Sequence, residues 1–200
     1  MKIPRLSSAL IFGILAVGWL LVWLGHAYVV PQLRRPLLIG LADPAVHGLV
    51  SLLLVLPLWL RRVVDTPVAL IAVLVGVLID VDHAIAAGSF DFKAMLSLPG
   101  RPLGHSFVVS MLVAAGLALA LRLGWRRYAS WGPFYLFWVS LASHIARDGV
   151  TPWAWPWVAP AIPAAVFFGI FVPLSFGHLL FAERLRPVCH AERSEASSRA

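Results

Sequence analysis

Charge is what this sequence is short of. Only 12% of its 200 residues are Asp, Glu, Lys or Arg, against about a quarter in an ordinary soluble domain. With 60% hydrophobic residues and a mean hydropathy of +0.88, that scarcity excludes a soluble globular domain. It points to a polytopic membrane protein, and the length suggests one domain. Cysteine is scarcer still. Cys189, close to the C-terminus, stands alone, which excludes a disulfide framework and a thiolate zinc site. All three glutamates (Glu183, Glu192, Glu195) lie in or beside the C-terminal tail, so the membrane body has none. No H-E-x-x-H is present, which argues against the common helix-borne metalloproteases. No G-x-S-x-G elbow surrounds Ser106. A signal-peptide cleavage site is missing too. The stretch "MKIPRLSSALIFGILAVGWLLVWLG" has a basic start, but its apolar run exceeds the 7–15 residues of a signal core and no A-x-A follows, so an uncleaved first span is expected.

Hydrophobic runs are what the chain has in plenty. Six stand out, at about residues 8–30, 45–60, 68–80, 105–123, 132–146 and 161–182. A full span needs about 20 residues. The first, fourth and sixth qualify, and the second, third and fifth look short enough to need burial by longer neighbours. Pro31, Pro36, Pro44, Pro67, Pro99, Pro102, Pro152 and Pro160 read as breakers in the connections. The expected fold is therefore an all-α membrane bundle of about six transmembrane helices with short loops, covering residues 1–186. The polar tail 187–200 has no apolar period and is expected to be disordered. It also resembles the peptide made when a bacterial reading frame runs into an intergenic repeat.

The formal charge of +7 does not indicate a nucleic-acid partner. The basic residues fall in pairs between apolar runs instead of along one face. With the N-terminus inside, 11 of the 16 basic residues fall in inner segments and 5 in outer ones. Both termini are thus expected in the cytoplasm.

On that topology the ionisable residues gather at the outer side. His47 opens the second span; Asp80, Asp82 and His83 close the third; His105 opens the fourth; His144 and Asp148 close the fifth. His144 and Asp148 are i, i+4, and Asp80 and His83 are i, i+3, so each pair shares a helix face. Asp82 points elsewhere unless the helix ends there. Ionisable residues inside a membrane are costly and are functional by default. Imidazole and carboxylate together suit Zn²⁺, Mn²⁺ or Fe²⁺.

These blocks carry a resemblance. "IDVDH" (Ile79 to His83), "GRPLGHS" (Gly100 to Ser106) and "HIARDGVTP" (His144 to Pro152), preceded by His47, resemble the YdjM-like, LexA-regulated membrane-bound family described as predicted metal-dependent hydrolases. The family pattern has Pro, His and Gly where this chain has Ile79, Gly100 and Pro102. The resemblance implies a divalent-metal centre, zinc first with manganese or iron as other fits, held by His47, Asp80, His83, His105, His144 and Asp148. Asp82 is the expected general base or a carboxylate orienting a histidine.

The expectation is thus a metal-dependent hydrolase in a bacterial cytoplasmic (inner) membrane, its site facing outward. Its partners would be the lipid bilayer and a lipid or lipid-linked ester or phosphoester. Two other readings stay open. One is an ion or small-solute transporter, although transport sites usually lie nearer the midplane. The other is a non-catalytic protein with a structural metal, favoured by the gap at Gly100. Blander roles are expected elsewhere: Ser106 as an N-cap, His26 and His178 as interfacial or core residues, Trp153, Trp155 and Trp157 as an aromatic belt, and residues 90–98 as a short surface helix that could also cover the site.

Overall fold

A computed structural model describes residues 6–29, 32–99, 101–125, 131–148 and 163–198, with side chains through residue 184. The expectations for Gly100 and for Trp153, Trp155 and Trp157 lie outside the described residues.

Apolar composition and the need to satisfy every backbone polar group in lipid leave helix as the natural choice, and the described residues hold no strand. Helix α1 spans Ser8–Leu24, capped by Ser7, whose hydroxyl accepts from the Leu10 amide. It ends in a π-helical turn, Gly25–Val29. Next come α2 (Pro36–Leu60), α3 (Thr66–Leu78), α4 (Val81–Ala87) and α5 (Phe92–Leu96). A 3-10 turn at Leu103–His105 leads into α6 (Phe107–Gly124), followed by α7 (Gly132–Asp148) and α8 (Ala164–Ser198).

Among the described residues, five helical stretches are long and apolar enough to cross a membrane: Ser8–Val29, Pro36–Leu60, Thr66–Ala87, Phe107–Gly124 and Ala164–Arg184. Helix α7, expected as the fifth of about six spans, is not among them; it has 17 residues. It is the most enclosed helix, buried almost without a break from Leu136 to Ala146 and packed by α2, α3, α6 and α8. Protein neighbours instead of lipid surround it, so it can carry Ser140, Ser143 and His144. By contrast, α1 buries a stripe of Ile11, Leu15, Trp19 and Val22 and exposes Leu10, Phe12, Val17 and Leu20 on its other side. That is the one-sided pattern of a peripheral helix.

Two expectations about length are corrected. The second span is not short: α2 runs 25 residues, straight through Pro44 and Pro57. Proline is tolerated inside a packed membrane helix because neighbours re-satisfy the freed carbonyl, so Pro44 is no breaker. The third span is not short either, because α4 extends α3 after a single turn and the two form one 22-residue apolar stretch. The backbone of α8 also runs on to Ser198, through the segment expected to lack structure.

The two ends of the bundle differ. At one end, Arg61 of α2 pairs with Glu183 of α8 at 2.5 Å and donates to the Leu6 carbonyl at 2.8 Å and to Ser8 Oγ at 2.7 Å. Ser8 in turn donates to Glu183 at 2.8 Å. The start of α1 and Glu183 of α8 therefore lie at the same end. Asp43, His47, Asp80, Asp82, His83, His105, His144 and Asp148 lie at the other.

Candidate metal centre

The centre is built from helix ends. Helix α3 stops at Leu78, and Asp80 occupies the turn before α4 restarts at Val81. That break swings Asp82, in the first turn of α4, towards the 3-10 turn. His105 Nδ1 lies 3.2 Å from Asp82 Oδ2. Gly104 makes room for this approach: a Cβ there would stand 2.4 Å from Asp82 Oδ2. Ser106, immediately after, caps α6 by accepting from Val109, the structural role expected of it.

From α7 come His144 and Asp148, i, i+4 on one face, with His144 Nε2 3.8 Å from Asp148 Oδ2. His144 Nδ1 donates to the Gly76 carbonyl at 2.9 Å. Helix α3 comes this close because Gly76 has no side chain; a Cβ there would meet Ser51 Oγ at 2.0 Å. Gly76 and Ser51 are thus part of how the centre is positioned.

Asp80, His105, His144 and Asp148 each bring one ligand-type atom within 4.8 Å of the others. Asp80 Oδ1 lies 3.2 Å from His144 Nε2 and 3.7 Å from His105 Nε2. The hydrogen-bond network assigns the tautomers. Nδ1 of His144 carries its proton to Gly76, and Nδ1 of His105 carries its proton to Asp82. Both Nε2 atoms are then bare lone pairs facing carboxylate oxygens. Nε2 of His105, Nε2 of His144 and Oδ2 of Asp148 are buried and lack a hydrogen-bond partner. Burial also pushes the His105 imidazole below its ordinary pKa, against the pull of Asp82, which favours the neutral form.

Two more groups flank this one. Asp82, His83 and His105 form the first, with His83 Nδ1 3.1 Å from Asp82 Oδ1 and 3.6 Å from Asp80 Oδ1. Asp43, His47 and Asp148 form the second, with His47 Nε2 2.9 Å from Asp148 Oδ1. The rings of His47 and His144 stack at 3.5 Å. So the seven residues singled out in sequence converge, but not on one point. Four share a centre, His83 and His47 stand to either side, and Asp82 stands behind His105.

Sequence reasoning missed Asp43, Arg101 and Arg147. Arg147 binds Asp43 and His47, and Arg101 Nη1 lies 3.0 Å from Asp148 Oδ2 and 3.4 Å from His83 Nε2. Arg101 is within ion-pair distance of Asp148, but no aligned hydrogen bond forms at that oxygen. Asp43 sits i, i+4 from His47, a signal that was present but hidden by taking Pro44 as the end of a loop. His178 lies elsewhere, donating to the Leu54 carbonyl at 2.6 Å and facing Tyr135 at 2.7 Å. His26 packs near Phe168.

An α-helical, multi-span membrane protein with a buried Asp/His cluster at one end is the class that fold and site define. Within that class, the chain belongs to the YdjM inner membrane protein family, whose pattern it matches over residues 43–197. It is 33% identical over 177 residues to Transmembrane protein 267 of Danio rerio, covering 85% of this chain and 74% of that protein. With Transmembrane protein 267 of Mus musculus it shares 32% identity over 153 residues, 70% of this chain and 66% of the relative. These relatives are vertebrate, so family membership by itself does not fix a bacterial source. No solved structure matches the chain.

Proposed function

We propose that this protein is a membrane-embedded, metal-dependent hydrolase with its divalent ion held by Asp80, His105, His144 and Asp148. One observation carries the reading: two lone-pair nitrogens and two carboxylate oxygens gather within 4.8 Å, three of the gaps being 3.2 to 3.8 Å, and Nε2 of His105, Nε2 of His144 and Oδ2 of Asp148 are buried without a hydrogen-bond partner. Four ligands placed tetrahedrally 2.0–2.2 Å from a zinc ion stand roughly 3.3–3.6 Å apart. Arg101, 3.0 Å from Asp148 Oδ2, offsets one of the carboxylates; the lone pairs of His105 and His144 still face Asp80 Oδ1 with no proton or cation between them. The donor set, all imidazole and carboxylate, suits zinc and also admits manganese or iron. A bound divalent ion supplies a water-derived nucleophile near neutral pH and polarises a scissile carbonyl or phosphoryl group.

The chain's own residues supply the rest. Asp82 holds His105 in the tautomer that presents Nε2, as carboxylates behind metal-bound histidines do. Being half-buried, it can also take a proton from the reacting group. Beside the centre opens a small cleft of about 50 Å³. Asp43, Asp80, His83 and Arg101 line its polar side; Ile39, Pro44 and the α5 residues Phe92, Met95 and Leu96 line its apolar side. An apolar wall beside a cationic Arg101 suits an amphiphile with an anionic head, so the substrate is a lipid or lipid-linked ester or phosphoester. Helix α7 makes the sixth crossing, and the centre faces outward in a cytoplasmic membrane with both termini inside, as the distribution of basic residues favours.

Purified protein is expected to carry about stoichiometric metal, and the His144→Ala, Asp148→Ala double variant is expected to lose it. Hydrolysis of a lipid phosphoester in mixed micelles should disappear with a chelator and return with zinc. Equal trace metal in wild type and variant would refute the centre. Metal-dependent flux in proteoliposomes without hydrolysis would favour transport instead.

A further inference from the structure

The three Asp/His groups look at first like sites for two or three ions. We infer that the protein holds one, because Arg147 occupies the place of a second. The inference rests on the metal reading above and concerns how many ions the cluster admits.

Arg147 touches every member of the group formed by Asp43, His47 and Asp148. Its Nη2 pairs with Asp43 Oδ1, its Nη1 bonds His47 Nε2, and Nη1 also lies 3.6 Å from Asp148 Oδ1. The guanidinium side chain is only 7% exposed, and Asp148 only 4%. A planar, permanently charged group with donors in a fixed fork thus fills the space between three potential ligands. Asp148 divides its oxygens: Oδ1 faces Arg147 and His47, and Oδ2 faces His144 and, from the rim, the one-third-exposed Arg101.

The other flanking group is disabled by proton bookkeeping. It needs Nδ1 of His105 as a ligand. A neutral imidazole has one lone pair, and if Nε2 of His105 serves the central ion, Nδ1 carries the proton given to Asp82 at 3.2 Å. Asp82 and His83 then remain; Asp80 approaches His83 at 3.6 Å only through Oδ1, the oxygen that faces His144 and His105 at the central ion, so the group has too few ligands for a closed site.

Charge gives the same count independently. Four carboxylates (Asp43, Asp80, Asp82, Asp148) meet two guanidiniums (Arg101, Arg147) in this cluster. Four negative charges less two positive ones leave a formal −2, which one divalent cation balances. A second would leave +2 in a largely buried site, and unpaired buried charge is strongly unfavourable.

The test is metal content. Full-length protein in detergent, incubated with excess zinc sulfate, desalted and measured by mass spectrometry of the metal, should hold one zinc per chain. Asp43→Asn should also hold one, because Asp43 serves Arg147 and not the ion, and Arg147→Lys should match it. Arg147→Gln removes the fixed cation and should rise to two. Two zinc ions in the wild type, loss of zinc in Asp43→Asn, or one zinc in a folded Arg147→Gln would each overturn the inference while leaving the metal centre intact. No zinc in the wild type would instead remove the metal reading itself. If Arg147→Gln does not fold, the wild-type count and Asp43→Asn still decide.

Discussion

At the scale of single residues, Asp82 is the most instructive. Its sequence position left two roles open, general base or a carboxylate behind a histidine, because a continued helix would have turned it away from Asp80 and His83. The break before Val81 turns it onto His105 Nδ1 at 3.2 Å. Asp82→Asn is accordingly expected to weaken zinc binding roughly 10- to 100-fold, the usual effect of losing such a partner. Competition against a chromophoric chelator measures it. Unchanged affinity with abolished turnover would assign Asp82 to proton transfer alone. Ser106 shows the opposite case: a hydroxyl next to a histidine invites a nucleophile reading, yet it spends its oxygen on the Val109 amide.

At the scale of elements, the centre depends on how closely α3 can approach α2 and α7. Gly76 is the contact point. Its carbonyl fixes the His144 ring at 2.9 Å, and the missing side chain admits Ser51. Gly76→Ala is expected to destabilise the bundle by about 1–3 kcal/mol through overpacking and to weaken zinc binding as α3 retreats from His144. A thermal melt in detergent and the same chelator titration check both halves. A wild-type melting temperature together with wild-type affinity would show that the helices have slack here. The pairings within one helix were legible from spacing, since i, i+3 and i, i+4 residues must share a face. Those in α2 were less so, because Pro44 disguised a continuous helix and concealed Asp43.

For the whole molecule, the arrangement of ends carries the prediction. Arg61, Ser8 and Glu183 tie α1, α2 and α8 together at one end, and the Asp/His cluster occupies the other. Val63 is 36% exposed and follows Arg61, whereas Leu103 is 62% exposed and sits beside the centre. In a Cys189→Ser background, Leu103→Cys should react with an impermeant maleimide added to intact cells, and Val63→Cys should react only after lysis. The reverse pattern would place the centre on the cytoplasmic face and discard the outward orientation, without touching the geometry of the cluster.

The membrane class, the helical fold and the Asp/His blocks were determined by the sequence alone. Apolar runs in lipid must become helix, and charged groups stand out against them. Tertiary structure alone decided which of those groups share a point, that α7 lies enclosed among its neighbours, and that Arg101 and Arg147 sit among the acids. Those outcomes depend on distances between residues a hundred or more positions apart, such as Asp43 and Arg147. Helix packing sets such distances; local composition does not.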